Sequence, residues 1–299
     1  MVSVCVPSYN GAAFIRQTIH SVLEQSFTNF ELVVVDDKST DETISIVRGI
    51  SDPRLRVIES SMNLGLGANW NKALASVLGK YVKLLCQDDV LHSDCLERQV
   101  AILEHVRHEG IVLAVCNRNV INSSGRVVVK PRRVLRRGVL NGRHLIQACV
   151  RHGQNFIGEP VVGLFRRDAL TLKEVCDPAN PYMSDVSLWA EVLRHGDAWF
   201  DPCCMASFRI SADAASSGIG LRQAGYYRSF AKKLRRDPHY EISAVDLLLA
   251  AIRSSLWCVL RNVFIRLHTL RKPPQQIRSQ QAAAGEKTFV PNPSHESCT

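Results

Sequence analysis

What the 299-residue chain lacks narrows its class before any motif is read. Its ten cysteines, at positions 5, 86, 95, 116, 149, 176, 203, 204, 258 and 298, include no CxxC pair, which argues against a zinc ribbon. No run of about 18 uncharged apolar residues occurs, so no conventional transmembrane helix is expected. The opening MVSVCVPSYNG has neither a positively charged n-region nor a long apolar stretch, and no secretory signal is expected from it. The cysteines then read as reduced thiols, mostly buried as small hydrophobes, in a cytoplasmic globular protein. No GxGxxG turn follows the first apolar run, where Pro7-Ser8-Tyr9-Asn10-Gly11 carries a single glycine, and no P-loop occurs. Dinucleotide oxidoreductases and P-loop enzymes are disfavoured on that ground. There is no internal repeat.

The composition, 46% hydrophobic and 22% charged, is that of an ordinary folded protein. The net charge of +9 and a pI near 9.2 point first to nucleic acid, but the charge is uneven. Residues 1–100 carry a net −3, residues 101–200 a net +5 and residues 201–299 a net +7. Seven Lys/Arg lie between Arg126 and Arg143, and Lys232-Lys233 with Arg235-Arg236 form a second cluster. The first cluster has no interleaved aromatics for base stacking, so no nucleic-acid partner is expected.

The first half alternates strand-like and helix-like segments. Apolar runs at Val2–Val6, Glu31–Val35, Leu55–Ile58, Tyr81–Leu85 and Ile111–Val115 read as strands, with helices between them at 66–78 and 93–106. Ser39-Thr40-Asp41-Glu42 supplies helix-start signals. Repeated strand–helix units of this length predict an α/β fold with a mostly parallel sheet flanked by helices. Beyond residue 116 the pattern loosens. A hairpin is predicted around Ser124-Gly125, helices at 141–151 and 184–195, a strand near 161–166, short strands at Trp199–Phe200 and Ala206–Ile210, and two helical segments in 221–271 broken at Asp237-Pro238. The polar tail from Pro273 to Thr299 is expected to be disordered.

Ligands of open parallel sheets bind at the carboxyl ends of the strands. Three predicted strand ends carry polar residues: Pro7-Ser8-Tyr9-Asn10, Asp36-Asp37 and Asp88-Asp89. An aspartate at a strand end is often only a helix cap or turn residue. Two carboxylate pairs on one edge would repel, however, unless a cation or a ligand donor sits between them. Hard oxygen ligands with room for substrate phosphates suit Mg²⁺ or Mn²⁺.

These segments carry a resemblance. VSVCVPSYN, FIRQTIHSVLEQSFTNFELVVVDDKSTDET, NLGLGANWNKAL and GKYVKLLCQDD, in that order, resemble the nucleotide-sugar domain of the family 2 glycosyltransferases, which have the GT-A fold. The likeness is dense over residues 2–105, continues more loosely through FIGEPVVGLFRRDAL and Ser184–Trp189 to Phe208-Arg209, and fades after about residue 215. It implies a nucleotide-sugar-binding half at 1–116, an acceptor-binding half at 117–215 and C-terminal helices at 216–271 before the tail at 272–299. It also implies inverting transfer from a nucleoside-diphosphate sugar to a glycan or lipid-linked acceptor, often with a divalent cation, Mn²⁺ or Mg²⁺, in polysaccharide-type biosynthesis.

Carried over by position, Pro7, Tyr9 and Asn10 stand at the nucleotide-facing end of the first strand. Asp37 would hydrogen-bond the base with Asp36 supporting it, and Asn63 and Asn69 match positions near the nucleotide. Asp88 would face the donor's ribose or sugar, Asp89 would bind metal, and Asp185 matches the acidic residue used as general base. The chemistry agrees with that set, because a cation stabilises a diphosphate leaving group and one carboxylate suffices to take the acceptor proton. A double displacement would need a second, nucleophilic carboxylate, and no motif requires one.

Two departures stand out. Gln87 occupies the outer position where relatives are commonly acidic, and Ser211 stands where many carry His. Trp189 suits either an acceptor-stacking or a core role, and Glu159 reads as a loop charge. A sugar-phosphate nucleotidyltransferase would want a Gly-rich, Arg/Lys-bearing loop after the first strand, which is missing. A catalytically inactive nucleotide-sugar-binding protein is the remaining alternative. In residues 242–271 a set of leucines, Ile252, Trp257 and Phe264 is interrupted by Arg253, Arg261, Arg266 and Arg271, a pattern that fits a core or dimer helix or peripheral contact with the inner face of a membrane.

Overall fold

The computed structural model describes residues 1–106, 110–131, 136–211 and 222–269. Expectations for the tail beyond Thr269 and for part of the basic segment near Arg132 fall outside those residues. Strands β1 (Val2–Ser8), β2 (Phe30–Asp36), β3 (Leu55–Glu59) and β4 (Tyr81–Leu84) are parallel, in the order β3-β2-β1-β4. Every residue of β1 is buried, as expected of a strand covered on both faces, and the run VSVCVPS is near-continuously apolar for that reason. Pro7 lies beyond the last β4 pair, Cys5↔Leu84, so its missing N–H breaks no ladder bond on that side.

Helices α1 (Ile15–Leu23), α2 (Thr43–Arg48), α3 (Leu66–Ala75) and α4 (Cys95–His105) connect and flank these strands. Between α3 and α4 the short β5 (Val90–Leu91) pairs with a later strand, β10 (Asp197–Arg209), at the far edge of the sheet. The same sheet continues from β4 through β9 (Gly163–Arg166), which runs antiparallel, to β6 (Ile111–Ile121), and then to β10, parallel to β6. β7 (Val127–Val129) forms the expected hairpin with β6, and β8 (Gly138–Leu140) pairs with β10. The two short strands expected near residues 199 and 208 are one strand, β10. Register shifts between Asp201 and Cys204 and between Cys204 and Ala206, around Pro202, produced the apparent interruption in sequence.

The second half supplies α5 (Gly142–His152), α6 (Ser184–Val192), α7 (Gln223–Arg235) and α8 (Ala244–Thr269). Asn141 caps α5, its side-chain oxygen accepting from the His144 N–H at 3.0 Å. Gly153 ends it with φ 65°, and a Cβ there would lie 2.5 Å from the Ser254 nitrogen of α8. Only glycine meets both demands.

Trp189 is a core residue, which decides between its two expected roles. It is 1% exposed, its indole N–H donates to the Gly158 carbonyl at 2.8 Å, and its ring meets Phe165 edge-on. A Cβ on Gly163 would fall 2.4 Å from the same ring, so the indole fills the space that the glycine leaves. Trp189→Ala should therefore destabilise the fold by roughly 3–5 kcal/mol, measured by urea unfolding. A loss below about 1 kcal/mol would remove the ring from the core.

Candidate active site

The carboxyl ends of β1 and β2 are locked together by Asp36. Its Oδ1 accepts from the hydroxyls of Ser8 at 3.0 Å and Ser39 at 2.5 Å, and its Oδ2 accepts from the Ser39 N–H at 2.8 Å. The residue is 1% exposed, so it acts as the buried brace of this edge. Asp37 follows as the next residue and is equally buried. Its two oxygens accept from the backbone N–H groups of Leu64 and Gly65, each at 2.8 Å, while the side-chain amide of Asn63 donates to its carbonyl at 3.3 Å. The carboxylate thus fixes the turn that opens α3, where Gly65 has φ 83°. Asn69, on the first turn of α3, donates to the carbonyls of Ser8 and Val35, both at 3.2 Å. It is 3% exposed and pins the two strand ends from beneath.

The loop after β1 is read by Gln87. The Gln87 side-chain oxygen accepts from the Tyr9 N–H at 2.8 Å, and its NH₂ donates to the Tyr9 carbonyl at 3.0 Å. A carboxylate could accept but not donate, so this paired contact explains the departure from an acidic residue here. A Cβ on Gly11 would lie 2.3 Å from the Gln87 amide oxygen and would push that side chain off its contact with Tyr9. Asn10 adopts φ 50°, and its side-chain oxygen accepts from the Thr40 N–H at 2.8 Å, tying the β1 and β2 loops together. The Tyr9 side chain, left exposed, is the aromatic surface of this edge.

Asp88 and Asp89 sit at the end of β4, held from two sides. The Thr18 hydroxyl on α1 donates to the carbonyls of Gln87 at 2.8 Å and Asp89 at 2.9 Å. From β10, the Arg209 N–H donates to Asp89 Oδ1 at 2.9 Å and its Nε donates to the Asp88 carbonyl at 2.8 Å. The same guanidinium reaches the Asn122 carbonyl at 3.0 Å and Gln17 at 2.7 Å, and it lies 4.5 Å over the Phe14 ring. Burial, and then the neighbouring Asp88, pushes the Asp89 carboxyl well above its ordinary range. Burial also raises Asp88, with Arg209 opposing it.

Asp185 stands in the first turn of α6, beside the loop that follows α5. Its Oδ2 accepts from the Asn155 amide at 2.8 Å, and its Oδ1 accepts from the Val186 N–H at 2.7 Å. The Asn155 oxygen in turn accepts from the Ile157 and Gly158 N–H groups, both at 3.0 Å. Burial pushes the Asp185 carboxyl up to about 6, against the lowering effect of those hydrogen bonds. Glu159 is more than a loop charge. It is ion-paired with Arg118 of β6, and its own charge acts on both Asp89 and Asp185. Burial first, and then Asp89, Asp88, Asp185 and Glu159, push the Cys86 thiol well above its ordinary value.

The structure thus gathers Pro7, Tyr9, Asn10, Asp36, Asp37, Asn63 and Asn69 at one end of the sheet edge, with Asp88 and Asp89 held beyond β4 by Arg209 and Asp185 held on α6 by Asn155. Asp36 and Asn69 are engaged by backbone and hydroxyl partners. Arg118, Arg209, Asn155 and the positive role of Gln87 were not anticipated. Arg118 lies in the polar stretch Asn117-Arg118-Asn119 of β6, and its partner, like those of Arg209 and Asn155, is far off in sequence, so none gave a local signal. Ser211, at the position where relatives often carry His, is buried. A separate cavity of about 500 Å³, reaching Arg166, Asp168 and His195, shares no residue with this cluster.

Asp89 Oδ2 is buried without a hydrogen-bond partner among the described residues, and a carboxylate oxygen in that state suits a hard divalent cation. No group of three or more His, Cys, Asp or Glu side chains converges as a metal cage among the described residues. Asp89, with Asp88 beside it, would leave the other coordination positions to diphosphate oxygens and water, as Mg²⁺ and Mn²⁺ prefer.

The model of the family described as "Glycosyl transferase family 2" matches residues 3–172. The putative teichuronic acid biosynthesis glycosyltransferase TuaG of Bacillus subtilis is 41% identical over 105 residues, covering 34% of this chain and 42% of that one. S. aureus TarS 1–349 in complex with UDP-GlcNAc shares the fold with a TM-score of 0.63 at 20% identity, over 84% of this chain and 71% of that one. The mannosyltransferase PcManGT from Pyrobaculum calidifontis, in complex with GDP-Man and Mn²⁺, gives a TM-score of 0.58 at 20% identity, over 96% and 76%. The chain spans 65% to 73% of the length of the first curated relatives it matches.

The raised Asp185 carboxyl has a measurable consequence. Below the ordinary value of 3.8 it is protonated in folded and unfolded chains alike, and its titration leaves stability unchanged. Above about 6 the fold must hold an ionised carboxyl that it disfavours. Between pH 3.8 and pH 8 the stability of Asp185→Asn relative to the parent should rise by up to about 3 kcal/mol, on top of a pH-independent cost of the acceptor that the amide loses. Urea unfolding across that range checks it; a difference independent of pH would contradict it.

Proposed function

The chain belongs to glycosyltransferase family 2, and we propose that it is an inverting enzyme moving a sugar from a nucleoside-diphosphate sugar to a hydroxyl of a glycan or lipid-linked acceptor. The observation that carries the proposal is the buried Asp89 Oδ2 beside Asp88, unpartnered among the described residues, with the Asp185 carboxylate held by Asn155 at the start of α6. One carboxylate pair can serve a departing diphosphate while the other carboxylate serves the attacking hydroxyl. The UDP-GlcNAc and GDP-Man complexes of the two structural neighbours support a nucleoside-diphosphate sugar as donor class, and the TuaG likeness supports a surface-polysaccharide type of acceptor. A lipid-linked acceptor would bring the enzyme to the inner face of a membrane.

In this reading the exposed Tyr9 ring and the edge built by Pro7, Asn10, Asp36 and Asp37 receive the nucleoside. Asp37 retains lone pairs beyond those used by Leu64 and Gly65, and these can accept from the base. Asn63 and Asn69 support that edge through backbone carbonyls, and Asp88 faces the ribose or sugar. Asp89 would hold Mn²⁺ or Mg²⁺, which supplies charge neutralisation for the diphosphate as the anomeric C–O bond breaks. Arg209 keeps Asp89 in place by its backbone N–H and limits the repulsion of the pair by its guanidinium.

Asp185 takes the acceptor proton as that oxygen attacks, and its raised carboxyl is suited to proton transfer near neutral pH. Asn155 orients the receiving carboxylate. Attack opposite the departing diphosphate inverts the anomeric centre in one displacement.

Incubation with a panel of nucleotide sugars and Mn²⁺ or Mg²⁺ should release nucleoside diphosphate with at least one donor. Asp89→Ala should lose metal-dependent donor binding in calorimetry. Asp185→Asn should keep that binding while transfer falls by about 10²–10⁴-fold. No binding and no release with any donor would overturn the proposal, and undiminished transfer by Asp185→Asn would remove Asp185 as the base.

A further inference from the structure

Helix α8 turns a long apolar face away from the rest of the protein. Its buried positions Asp246, Ala250, Ser254 and Cys258 recur every four residues, and the helix packs against α5 and α7 on that side. On the opposite side Val245, Leu248, Ile252 and Leu256 are 63%, 62%, 60% and 60% exposed, and Val259 and Val263 extend the row. A helix apolar right round its circumference is normally covered on every side, and a continuous exposed stripe of this length marks an interaction surface. No described helix is long and apolar enough to cross a membrane.

The charge around the stripe selects the partner. Residues 222–269 carry nine Lys/Arg and three acids. All three acids are ion-paired: Asp237 with Arg194, Glu241 with Arg143 at 2.8 Å and Asp246 with Arg151 at 2.6 Å. Along α7 and its C-terminal end, Arg228, Lys232, Lys233, Arg235 and Arg236 are exposed and have no ion pair among the described residues. An exposed apolar row and uncompensated cations on two adjoining helices match the acyl boundary and headgroups of an anionic bilayer.

We propose that the α7–α8 hairpin docks the enzyme on an anionic phospholipid leaflet, with the α8 stripe at the acyl boundary and the α7 cations among the headgroups. The hairpin is built directly onto the acceptor side of the candidate site. Arg253 donates to the Arg151 carbonyl at 3.2 Å, and Ser254 lies against Gly153, two residues before the Asn155 that holds Asp185. Docking therefore places the general base near the surface where a lipid-linked acceptor would present its hydroxyl. Only this last step rests on the transferase reading, because vesicle binding needs no turnover.

The test is flotation of the full chain with phosphatidylglycerol-containing vesicles and with pure phosphatidylcholine vesicles. The expected result is at least about tenfold stronger partition onto the anionic vesicles, weakened by added salt. Combined Leu248→Glu, Ile252→Glu and Leu256→Glu should abolish it, and combined Lys232→Ala, Lys233→Ala, Arg235→Ala and Arg236→Ala should weaken it at least about tenfold. Circular dichroism melting confirms folding, and serine at the three stripe positions replaces glutamate if the first variant unfolds. No partition of the parent onto anionic vesicles would overturn the proposal, as would equal partition by a folded stripe variant. A lipid-free dimer that the stripe variant splits into monomers, without vesicle binding by the parent, would assign the face to a second copy instead. Vesicle binding without sugar transfer would leave the docking surface standing and refute the transferase reading; transfer without vesicle binding would do the reverse.

Discussion

Like-charge crowding at one edge of the sheet is the constraint on which the rest of the structure depends. Asp88, Asp89, Glu159 and Asp185 all bear on the Cys86 thiol, and burial disfavours the charged forms of Asp88, Asp89 and Asp185. Two arginines keep the arrangement from collapsing. Arg209 spans Asp88 and Asp89 and fastens them to α1 and to the β6–β7 hairpin. Burial works against the charge of Arg118, but Glu159 and Asp89 outweigh it and keep a cation between the two halves of the site. Such an arrangement is costly to fold, and it becomes useful when a ligand brings its own compensating charge.

The backbone that presents these groups is stiff for related reasons. Each strand end is tied to its neighbour by a side chain acting on backbone atoms: Asp36 on the Ser39 N–H, Asn69 on the Ser8 and Val35 carbonyls, Gln87 on both faces of the Tyr9 peptide and Thr18 on the carbonyls of the β4 turn. A ligand edge built this way loses little entropy on binding, since its loops are already ordered. The loop beside α6 follows the same pattern, with Asn155 holding Asp185 and the Trp189 indole holding the Gly158 carbonyl.

Much of this was legible in sequence because local patterns encode it. The buried parallel strands show as unbroken apolar runs, and the aspartates at their ends could be placed on one edge by topology alone. What escaped depends on contacts between distant positions. Arg209 meets Gln17 across 192 residues, and nothing near Arg209 announces that partner. Gln87 looked like a lost charge, whereas its use lies in being able to donate as well as accept. Asn69, expected near the nucleotide, donates to the Ser8 and Val35 carbonyls, partners 61 and 34 residues away that its own neighbourhood does not announce. β10 looked like two strands because a bulge at Pro202 breaks the alternation without breaking the strand. The apolar pattern of α8 was visible, but only packing shows which face the fold covers.

The decisive measurement is thermal unfolding with a nucleoside diphosphate, with and without Mn²⁺, for the parent chain and for Asp89→Asn, whose amide oxygen can still accept from the Arg209 N–H. Ligand binding to the folded state at 100-fold over Kd adds about 2.7 kcal/mol, which corresponds to several degrees in Tm for a domain of this size. The parent should gain such a shift only when Mn²⁺ and the nucleotide are present together, and Asp89→Asn should gain none from the metal. An equal metal-dependent shift in both proteins, or no shift in the parent, would contradict the placement of the cation at Asp89 and with it the reading of the crowded edge as a donor site.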